Sequence, residues 1–474
     1  MNWRQSIALS AAVGLGACAG LPHKEAAPKL TAAAPLDGLE REGGGAWPDA
    51  QWWKRYADPT LDELIVLGVA ESPSLASAHA RFESAEQSVR LAAATSGAHI
   101  DANADMNRQR LSDNGLFPPH LLGFTWYNMA DLNLQATYTF DWWNKQKNAV
   151  QAAMDQAHAA QAERSAALLV LASSIADAYF GWQADQNRLV LAHEKEQAVA
   201  EEGTIARARL AAGLDSDENI HRADMALGDA RVDVVALEGS AKLRLVTPAA
   251  LVGKPLAELP PFTVRALPAV AGKVPDDVKI DLIARRADIT ASRWRVEAAE
   301  KNLASARAEF YPDVSVNALF GLQSVDVGKL FEYSSRVPSI GAAVHLPIFD
   351  QGRLKAQYGA ARASIDAAVS TYEDTVITAA REVSTQVTML AQIDAERRQH
   401  LGEIDSVLKL QAGAIAHVQQ GVADIRPQLT ATEALIDQRD NVLQLDAAAL
   451  SADVALQRAL GGGYVSTQQS TSSP

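Results

Sequence analysis

Four short segments in which apolar and polar residues alternate constrain the fold of this 474-residue sequence more than any other feature. In residues 99–107, HIDANADMN, Ile100 and Met106 share one side of an extended chain, while Asp101 and Asn103 share the other. Alternation with a period of two is typical of a β-strand that has one apolar and one polar face. The pattern predicts four such strands, at about residues 98–108, 129–142, 312–323 and 338–349.

The rest of the chain is predicted to be mainly helical, and two of the helices are very long. The tracts 145–212 and 351–423 contain no proline. In the second tract Ile365, Tyr372 and Val383 belong to an apolar seam with spacings of three and four residues, as in a coiled coil. About seventy residues at about 1.5 Å each span roughly 100 Å, which is too long for one globular domain.

The first residues predict export and lipidation. Residues 1–17 carry one basic residue, Arg4, and a short apolar stretch, which is the pattern of a cleaved signal peptide. The next residue, Cys18, is the single cysteine of the chain, and LGAC at 15–18 resembles a bacterial lipobox. We expect a covalent lipid such as palmitate on Cys18; an ordinary signal peptide with an incidental cysteine is the alternative. Residues 18–57, rich in alanine, proline and glycine, are predicted to form an extended lipidated segment.

The sequence contains an internal duplication, in which Glu86 of the first half aligns with Glu300 of the second. Each half is predicted to contain a helix, a strand, a hairpin, a strand, a long helix, a turn and a helix. The two aligned glutamates are 300 − 86 = 214 positions apart, and a repeat of that length indicates a duplication rather than a solenoid. We assign residues 58–270 to the first repeat, 271–462 to the second, and 463–474 to a disordered low-complexity tail.

After the signal peptide, no uncharged apolar run reaches the roughly 18 residues that a membrane helix needs. A membrane could therefore be crossed only by the strands. Four strands cannot close a membrane barrel, which needs about eight, and an open sheet in lipid leaves unpaired backbone groups at its edges. Three copies would supply about twelve strands and enclose a polar lumen. The alternative is a soluble sheet with one hydrated face, which the similar strand lengths and the lack of a covering short helix disfavour.

In a membrane barrel the two faces of each strand have different surroundings. The polar face would line the lumen, and its predicted members are Asp101, Asn103, Asp105, Asn133, Gln135 and His345. The apolar face would contact lipid, and its predicted members are Ile100, Met106, Leu132, Leu134, Val316, Phe320 and Val344. Aromatic residues at the strand ends, including Tyr138 and Trp142, fit a lipid–water interface.

Composition and motifs argue against other classes of function. The formal net charge is −14 and no long run of lysine or arginine occurs, so nucleic-acid binding is not expected. The ten histidines have no metal-ligand spacing, and HEKEQ at 193–197 lacks the second histidine of a zinc protease. We expect no enzymatic activity, no metal site and no cofactor apart from the lipid on Cys18.

Four motifs carry a resemblance to a known family: DPTLDELI (58–65), FDWWNKQ (140–146), the segment 281–316 with ARRADI and FYPDVSV, and LPIFDQGRLKAQ (346–357). Over nearly the whole mature chain, the sequence resembles the outer-membrane factor family of tripartite efflux systems, the TolC/OprM/NodT-like channels. The resemblance implies a mainly α fold with transmembrane β. In such homotrimers a twelve-stranded outer-membrane β-barrel, four strands per chain, continues into a long periplasmic α-helical barrel.

The resemblance also implies a function, the passive export of drugs or other toxic small molecules across the outer membrane of a Gram-negative bacterium. The implied partners are outer-membrane lipid, a periplasmic adaptor (membrane fusion) protein and an inner-membrane exporter. Exporters of the resistance–nodulation–division (RND) type are the commoner partners, and other exporter classes stay open. The alternative from another class is a periplasmic coiled-coil lipoprotein scaffold without a pore.

The turns after Gly213 and Gly421 end the long helices, and the resemblance places them at the periplasmic tip. Relatives carry constricting aspartates on the helix that follows, whereas the comparable positions here are Pro427 and Thr430. The acidic gate candidates that remain are Asp424, Asp215, Asp217 and Glu218. Helix capping is their alternative role, with Asp215 or Ser216 as the N-cap and Pro427 at the first helical position.

Overall fold

The computed structural model describes residues 28–35, 44–114, 118–270, 273–275 and 278–465. The predictions for the signal peptide, for Cys18 and for residues 466–474 lie outside this part of the chain. Its longer helices are α1 (Pro59–Glu71), α2 (Pro73–Thr95), α3 (Lys145–Ala211), α4 (Asp217–Val252), α5 (Val278–Arg285), α6 (Ala287–Ala308), α7 (Gln351–Gln419) and α8 (Arg426–Ala459). Its strands are β1 (His99–Arg110), β2 (Trp126–Phe140), β3 (Asp313–Ser324) and β4 (Arg336–His345). Short helical turns lie at Trp52–Tyr56, Pro119–Leu122, Leu256–Glu258, Val327–Lys329 and Tyr333–Ser335.

The described chain forms two compact units. Among the described residues, the strand unit contains those within Glu83–Ala159 and Arg293–Thr371, together with residues 28–29. The helix unit contains those within Leu30–Phe82, Ala160–Ser292 and 372–465. Each unit takes residues from both predicted repeats, so the spatial division cuts across the two halves of the sequence.

The four strands of the strand unit form one antiparallel sheet in the order β1-β2-β3-β4. β2 pairs with β3 although the helices α3 to α6 lie between them in sequence. β2 begins earlier than predicted, at Trp126, because it pairs as far as Arg110 at the end of β1. β4 ends earlier than predicted, at His345, just before Pro347, which has no N–H to donate to a ladder. The sheet is therefore two hairpins joined side by side through their inner strands.

The long helices α3 and α7 are continuous over 67 and 69 residues, and both stop in the same way. Gly213 and Gly421 adopt left-handed backbone angles, with φ of 71° and 72°. At the first stop the N–H of Leu214 donates to the carbonyl of Arg209 at 2.9 Å, and at the second Val422 donates to His417 at 3.0 Å. These are the bonds of a Schellman cap, in which glycine takes the left-handed position without steric cost.

A buried core lies within the helix unit. Leu61, Leu64 and Ile65 of α1 are 0–1% exposed and cluster with Ile175 and Tyr179 of α3. Each such side chain contributes about 1.5–3 kcal/mol when it leaves water. α3 also has the single window in the described residues that is apolar enough to cross a membrane, and half of that window is buried in the chain. The apolar character of α3 thus serves packing.

The motif that begins at Asp58 joins α1 to α3. One carboxylate oxygen of Asp58 accepts the N–H groups of Thr60 and Leu61 at 2.9 and 3.3 Å, which caps α1. The other oxygen accepts the Tyr179 hydroxyl at 2.7 Å. The cap is therefore also a tertiary contact, which ties the entry of α1 to the middle of a long helix.

Two predictions about the ends of the chain are wrong in part. Trp52–Tyr56 forms a 3-10 helix rather than an extended segment, and Trp52, Trp53 and Tyr56 are all buried. The physical reason is that removing three large aromatic rings from water is strongly favourable. The Tyr56 hydroxyl donates to buried Asp453 at 2.7 Å. At the other end Tyr464, predicted to belong to the tail, is partly buried.

Candidate functional site

The apolar face of the sheet runs without interruption across all four strands. In the register, Leu134 of β2 lies between Ala102 of β1 and Phe320 of β3, and Val344 lies opposite Val314. The face contains every predicted lipid-facing residue, namely Ile100, Met106, Leu132, Leu134, Val316, Phe320 and Val344. The large side chains at its margins are mostly in solvent, with Ile100 71% and Ile340 81% exposed. An apolar surface of this extent indicates a membrane or protein contact.

The polar face of the same sheet carries the predicted lumen-facing residues. Asp101 lies opposite Gln135, Asn103 opposite Asn133, and Asp105 opposite Asp131. His345 lies opposite Asp313 on the same face.

Side chains on this polar face bond to one another rather than to a protein core. The Asn103 amide donates to Asn133 at 3.3 Å, and the Gln323 amide donates to Asp131 at 3.1 Å. The Thr137 hydroxyl donates to Asn317 at 3.0 Å, which continues the network from β2 to β3. Hydrogen bonds among these exposed and half-buried groups leave their remaining donors and acceptors to water. The face is suited to line a hydrated space.

The two outer strands leave the sheet open. β1 pairs with β2 alone and β4 pairs with β3 alone within the part of the chain that the structure describes. An outer strand presents a row of backbone N–H and C=O groups that are not paired within the sheet. In hydrocarbon each such group costs several kcal/mol, so a membrane sheet must close.

Aromatic side chains are exposed at both ends of the sheet. At the hairpin end, Trp126, Phe331 and Tyr333 are exposed. At the end that leads into the long helices, the exposed aromatic residues are Tyr138, Phe140, Trp142, Trp143 and Phe349. Two aromatic belts on either side of an apolar band are typical of transmembrane strands.

The glycine turns at the ends of α3 and α7 meet through one arginine. Arg209, in the last turn of α3, donates to Asp215 at 3.1 Å and to Asp424 at 3.3 Å. Arg426 also donates to Asp424, at 2.7 Å. The structure thus brings together two of the predicted gate candidates, and it adds two arginines that the sequence patterns did not single out. An arginine in the last turn before a glycine stop is the signal that could have indicated Arg209.

The other two gate candidates lie apart from this cluster, on the first turn of α4. Asp217 is 3.5 Å from His221, and Glu218 is 2.8 Å from Arg222, both one helical turn along. These are exposed pairs along one helix, which contribute only a few tenths of a kcal/mol.

The capping predictions are only partly right. Ser216 occupies the N-cap position of α4 but makes no side-chain cap bond. α8 begins at Arg426 rather than at Pro427, and Asp424 accepts the Arg426 N–H at 3.1 Å. The hypothesis of simple capping therefore explains part of the role of Asp424, but not its pairing with two arginines.

Both clustered carboxyl groups are held ionised. Hydrogen bonds from the Asn219 side chain, the Ser216 backbone and Arg209 lower the pKa of Asp215 to about 2. The Arg426 side chain and backbone, with Arg209 nearby, lower the pKa of Asp424 below its usual value. The two carboxylates are thus neutralised by arginine and are not bare negative charges.

In the described residues, no group of three or more His, Cys, Asp or Glu side chains is placed to hold a metal ion. The chemistry available at the sheet and at the turns is that of hydrogen bonds, ion pairs and apolar contact.

Comparison with known proteins gives a consistent result. The model of a family described as outer membrane efflux protein matches residues 64–254 and 280–462. The chain is 32% identical over 453 residues to the multidrug resistance outer membrane protein MdtP of Escherichia coli K12, covering 94% of this chain and 92% of that protein. It is 31% identical over 470 residues to the putative multidrug resistance outer membrane protein MdtQ of Shigella flexneri, covering 95% and 96%.

Solved structures agree in fold. The outer membrane protein VceC of Vibrio cholerae is 31% identical, with a TM-score of 0.80 over 88% of this chain and all of VceC. The outer-membrane channel OprN is 23% identical, with a TM-score of 0.84 over 94% of this chain and 99% of OprN, which shows the fold alone.

Proposed function

The chain belongs to the outer membrane efflux protein family, and we propose that three copies of it close a twelve-stranded barrel, which is the outer-membrane duct of a tripartite efflux pump. As a member of this family the protein is an outer-membrane efflux channel. The observation that carries the proposed assembly is the continuous, exposed apolar face of a sheet with two open edges. Lipid covers the face, and neighbouring copies pair with the edges.

The sheet supports the number of copies that we propose. Four strands per chain make eight in a dimer and twelve in a trimer. A barrel of about eight strands is filled by its own side chains, whereas a wider one leaves an aqueous lumen. A lumen lined by residues such as Asp101, Asn133, Gln135 and His345 would pass small hydrophilic and amphiphilic molecules.

The duplication fits this assembly. The family model matches the chain in two ranges, one before and one after residue 270. Each range contributes one hairpin of the sheet and one long helix ended by a glycine. Three copies would then have approximate sixfold symmetry.

The partners and cargo are inferred from the relatives. MdtP and MdtQ are named as multidrug resistance proteins, and on that basis we extend export of drugs or other toxic compounds to this chain. A duct with no energy source of its own needs a periplasmic adaptor and an inner-membrane exporter, for which the RND type is our first choice. A lipid on Cys18 would anchor the chain to the outer membrane from the periplasmic side.

The helical turns are the proposed point of closure. Separating the turn at Gly213 from the turn at Gly421 requires the bonds from Arg209 to Asp215 or Asp424 to break. We assign the gate to the cluster of Arg209, Asp215, Asp424 and Arg426. Asp217 and Glu218 are assigned only a supporting role, in which they screen the positive charge of the nearby arginines.

A leader exchange tests the proposal against the scaffold alternative. Residues 1–18 are replaced by the signal peptide of a soluble periplasmic protein, so that the chain is exported without its cysteine. A barrel is expected to remain in the outer-membrane fraction, to run as an SDS-resistant trimer and to conduct ions in planar bilayers. A scaffold would be recovered as a soluble periplasmic protein without conductance, and that result would refute the proposed channel.

A further inference from the structure

A polar cavity lies in the strand unit, where β2 leads into α3. Its volume is about 470 Å³, and it is lined by the aromatic rings of Trp142, Trp143 and Tyr311, by the cations Lys147 and Arg307, and by the amides of Asn144, Asn148 and Gln151. No carboxylate lines it. The charge of its lining is therefore opposite in sign to the net charge of the chain, which is −14.

The two cations have no partner in the described chain. The Nε atom of Arg307 is buried and makes no hydrogen bond, and neither the Arg307 guanidinium nor the Lys147 ammonium forms an ion pair. A buried polar group without a partner is unfavourable, and such groups usually have a ligand or water.

A cavity of similar size in the helix unit provides the contrast. It has a volume of about 410 Å³ and three basic residues in its lining. Each of them is paired at 2.7 Å, Arg188 with Asp440, Lys195 with Asp437, and Arg244 with Asp185. The basic residues of that cavity are neutralised by aspartates of the same chain. The positive charge of the Arg307 cavity is not, and it can therefore attract an anion that is not part of the chain.

The aromatic wall of the Arg307 cavity is fixed, and it adjoins the apolar face of the sheet. Trp143 stacks on Tyr311 at 4.4 Å between ring centroids and donates its indole N–H to the Pro312 carbonyl at 3.0 Å. Trp142, 62% exposed, stacks at 5.7 Å on Phe140, which the register places on the apolar face. A ligand in this cavity therefore has its charged part between two cations and its remainder beside the lipid-facing surface.

The helix start at this point does not supply the anion site. The Asp141 carboxylate accepts the N–H groups of Gln146 and Lys147 at 3.1 and 2.8 Å, so those donors of α3 are already used. Recognition falls to the side chains of Arg307 and Lys147. Guanidinium and ammonium groups beside tryptophan are suited to the phosphate of a lipid headgroup at a membrane surface.

We propose that this cavity binds the phosphodiester of an anionic glycerophospholipid in the periplasmic leaflet of the outer membrane. The inference rests on the proposed function, because only a membrane barrel puts the helix end of the sheet at that leaflet. An anionic headgroup is favoured over a zwitterionic one, since the ammonium of phosphatidylethanolamine would meet no carboxylate in the lining. The bound lipid would fix the height of the barrel in the membrane.

The test is native mass spectrometry of the full-length protein in detergent, titrated with dioleoyl phosphatidylglycerol or with dioleoyl phosphatidylethanolamine. Wild-type protein is expected to retain phosphatidylglycerol in preference to phosphatidylethanolamine. The double variant K147Q/R307Q is expected to lose about tenfold or more in affinity for phosphatidylglycerol, because it removes both charged hydrogen bonds to the phosphate. The matched control R108Q/K329Q removes the same charge at the hairpin end of the sheet and is expected to bind as wild type does.

Four results would overturn the inference. The first three are equal retention of the two lipids, equal loss in both double variants, and displacement of phosphatidylglycerol by equimolar inorganic phosphate, which would show that the acyl chains contribute nothing. Loss of the SDS-resistant trimer in K147Q/R307Q, with no lipid bound to wild type, would also overturn it, because the cations would then pair with a neighbouring copy. The trimer and the conductance of wild-type protein, measured on the same samples, report on the proposed function separately.

Discussion

Leu64 in the helix unit and Ile340 in the strand unit are both large aliphatic side chains, but Leu64 is fully buried and Ile340 is 81% exposed. The helix unit completes its core within one chain, from α1, α3, α8 and the aromatic turn at Trp52–Tyr56. The strand unit also has a regular apolar surface, which is one face of its sheet, but no other part of the described chain covers that face. One unit buries its apolar side chains within the chain, and the other leaves an apolar face and two outer strands for contacts outside it.

The largest effect is expected from a cavity in the helix unit. The substitution Leu64→Ala removes a fully buried side chain, and we expect a loss of about 2–5 kcal/mol in the free energy of unfolding. Val66→Ala, at a side chain 62% exposed on the same helix, is the matched control and should change little. Guanidinium unfolding in detergent measures both, and an equal loss in the two variants would show that α1 is not anchored by this core.

A charge on the apolar face should affect the strand unit almost as strongly, but only in a membrane. Leu134→Arg places a cation at the middle of the sheet, at a cost of about 2–4 kcal/mol for each chain. Gln135→Arg introduces the same charge on the polar face one residue away and should assemble normally. The yield of SDS-resistant trimer in outer membranes is the measurement. If both variants assemble equally well, the apolar face does not contact lipid.

A substitution at Glu433 in α8 is expected to increase stability, by less than the two preceding substitutions decrease it. One carboxylate oxygen of Glu433 is buried without a partner, and burial together with the charge of Glu202 raises the pKa of this residue. A raised pKa means that folding disfavours the charged form, so the penalty is complete at high pH and vanishes below the ordinary glutamate value of about 4.3.

The substitution Glu433→Gln should therefore increase thermal stability at pH 8 by less than about 1 kcal/mol, because partial exposure screens the charge. The gain should disappear as the pH falls toward about 4. Glu63→Gln, at an exposed position of α1, is the control and should show no gain at either pH. A gain that is constant with pH would show that charge burial is not its cause.

The smallest effect is expected at the glycine turns. The pKa of Asp215 is lowered to about 2, so the contribution of its ionised form is complete above the ordinary aspartate value and is lost only as the pH falls through about 2. Mild acidification should therefore leave the bonds of Arg209 intact, whereas it acts on Glu433.

Proteolysis within residues 212–216 at pH 8 and at pH 5 measures this difference, and the two rates should agree after correction for the protease. The variant Arg209→Gln should be cut faster than wild type at both pH values, since the turn loses its link to Asp424. Faster cutting of wild-type protein at pH 5 would contradict the ionised state assigned to Asp215.

Local patterns predicted much of the fold and part of the candidate site. The alternation around Leu134 and Asn133 predicted the two faces, because side chains of a strand alternate whatever lies beside it. Gly213 and Gly421 predicted the ends of the long helices, since a left-handed residue stops a helix in any surroundings. The same reasoning missed the bond from Arg209 to Asp424 and the burial of Trp52, because these contacts join residues far apart in sequence. It also missed Arg426, although its partner Asp424 is only two residues away.

The sequence by itself determined where the strands and long helices are and which side of each strand is apolar, because periodicity, proline and glycine act over a few residues. The tertiary structure decided that β2 lies beside β3, that Trp52–Tyr56 joins a core, and that Arg209 links Asp215 to Asp424. It also decided that Arg307 and Lys147 share a cavity without an acid. Each of these arrangements depends on contacts between distant parts of the chain, and a pattern of neighbouring residues cannot predict such contacts.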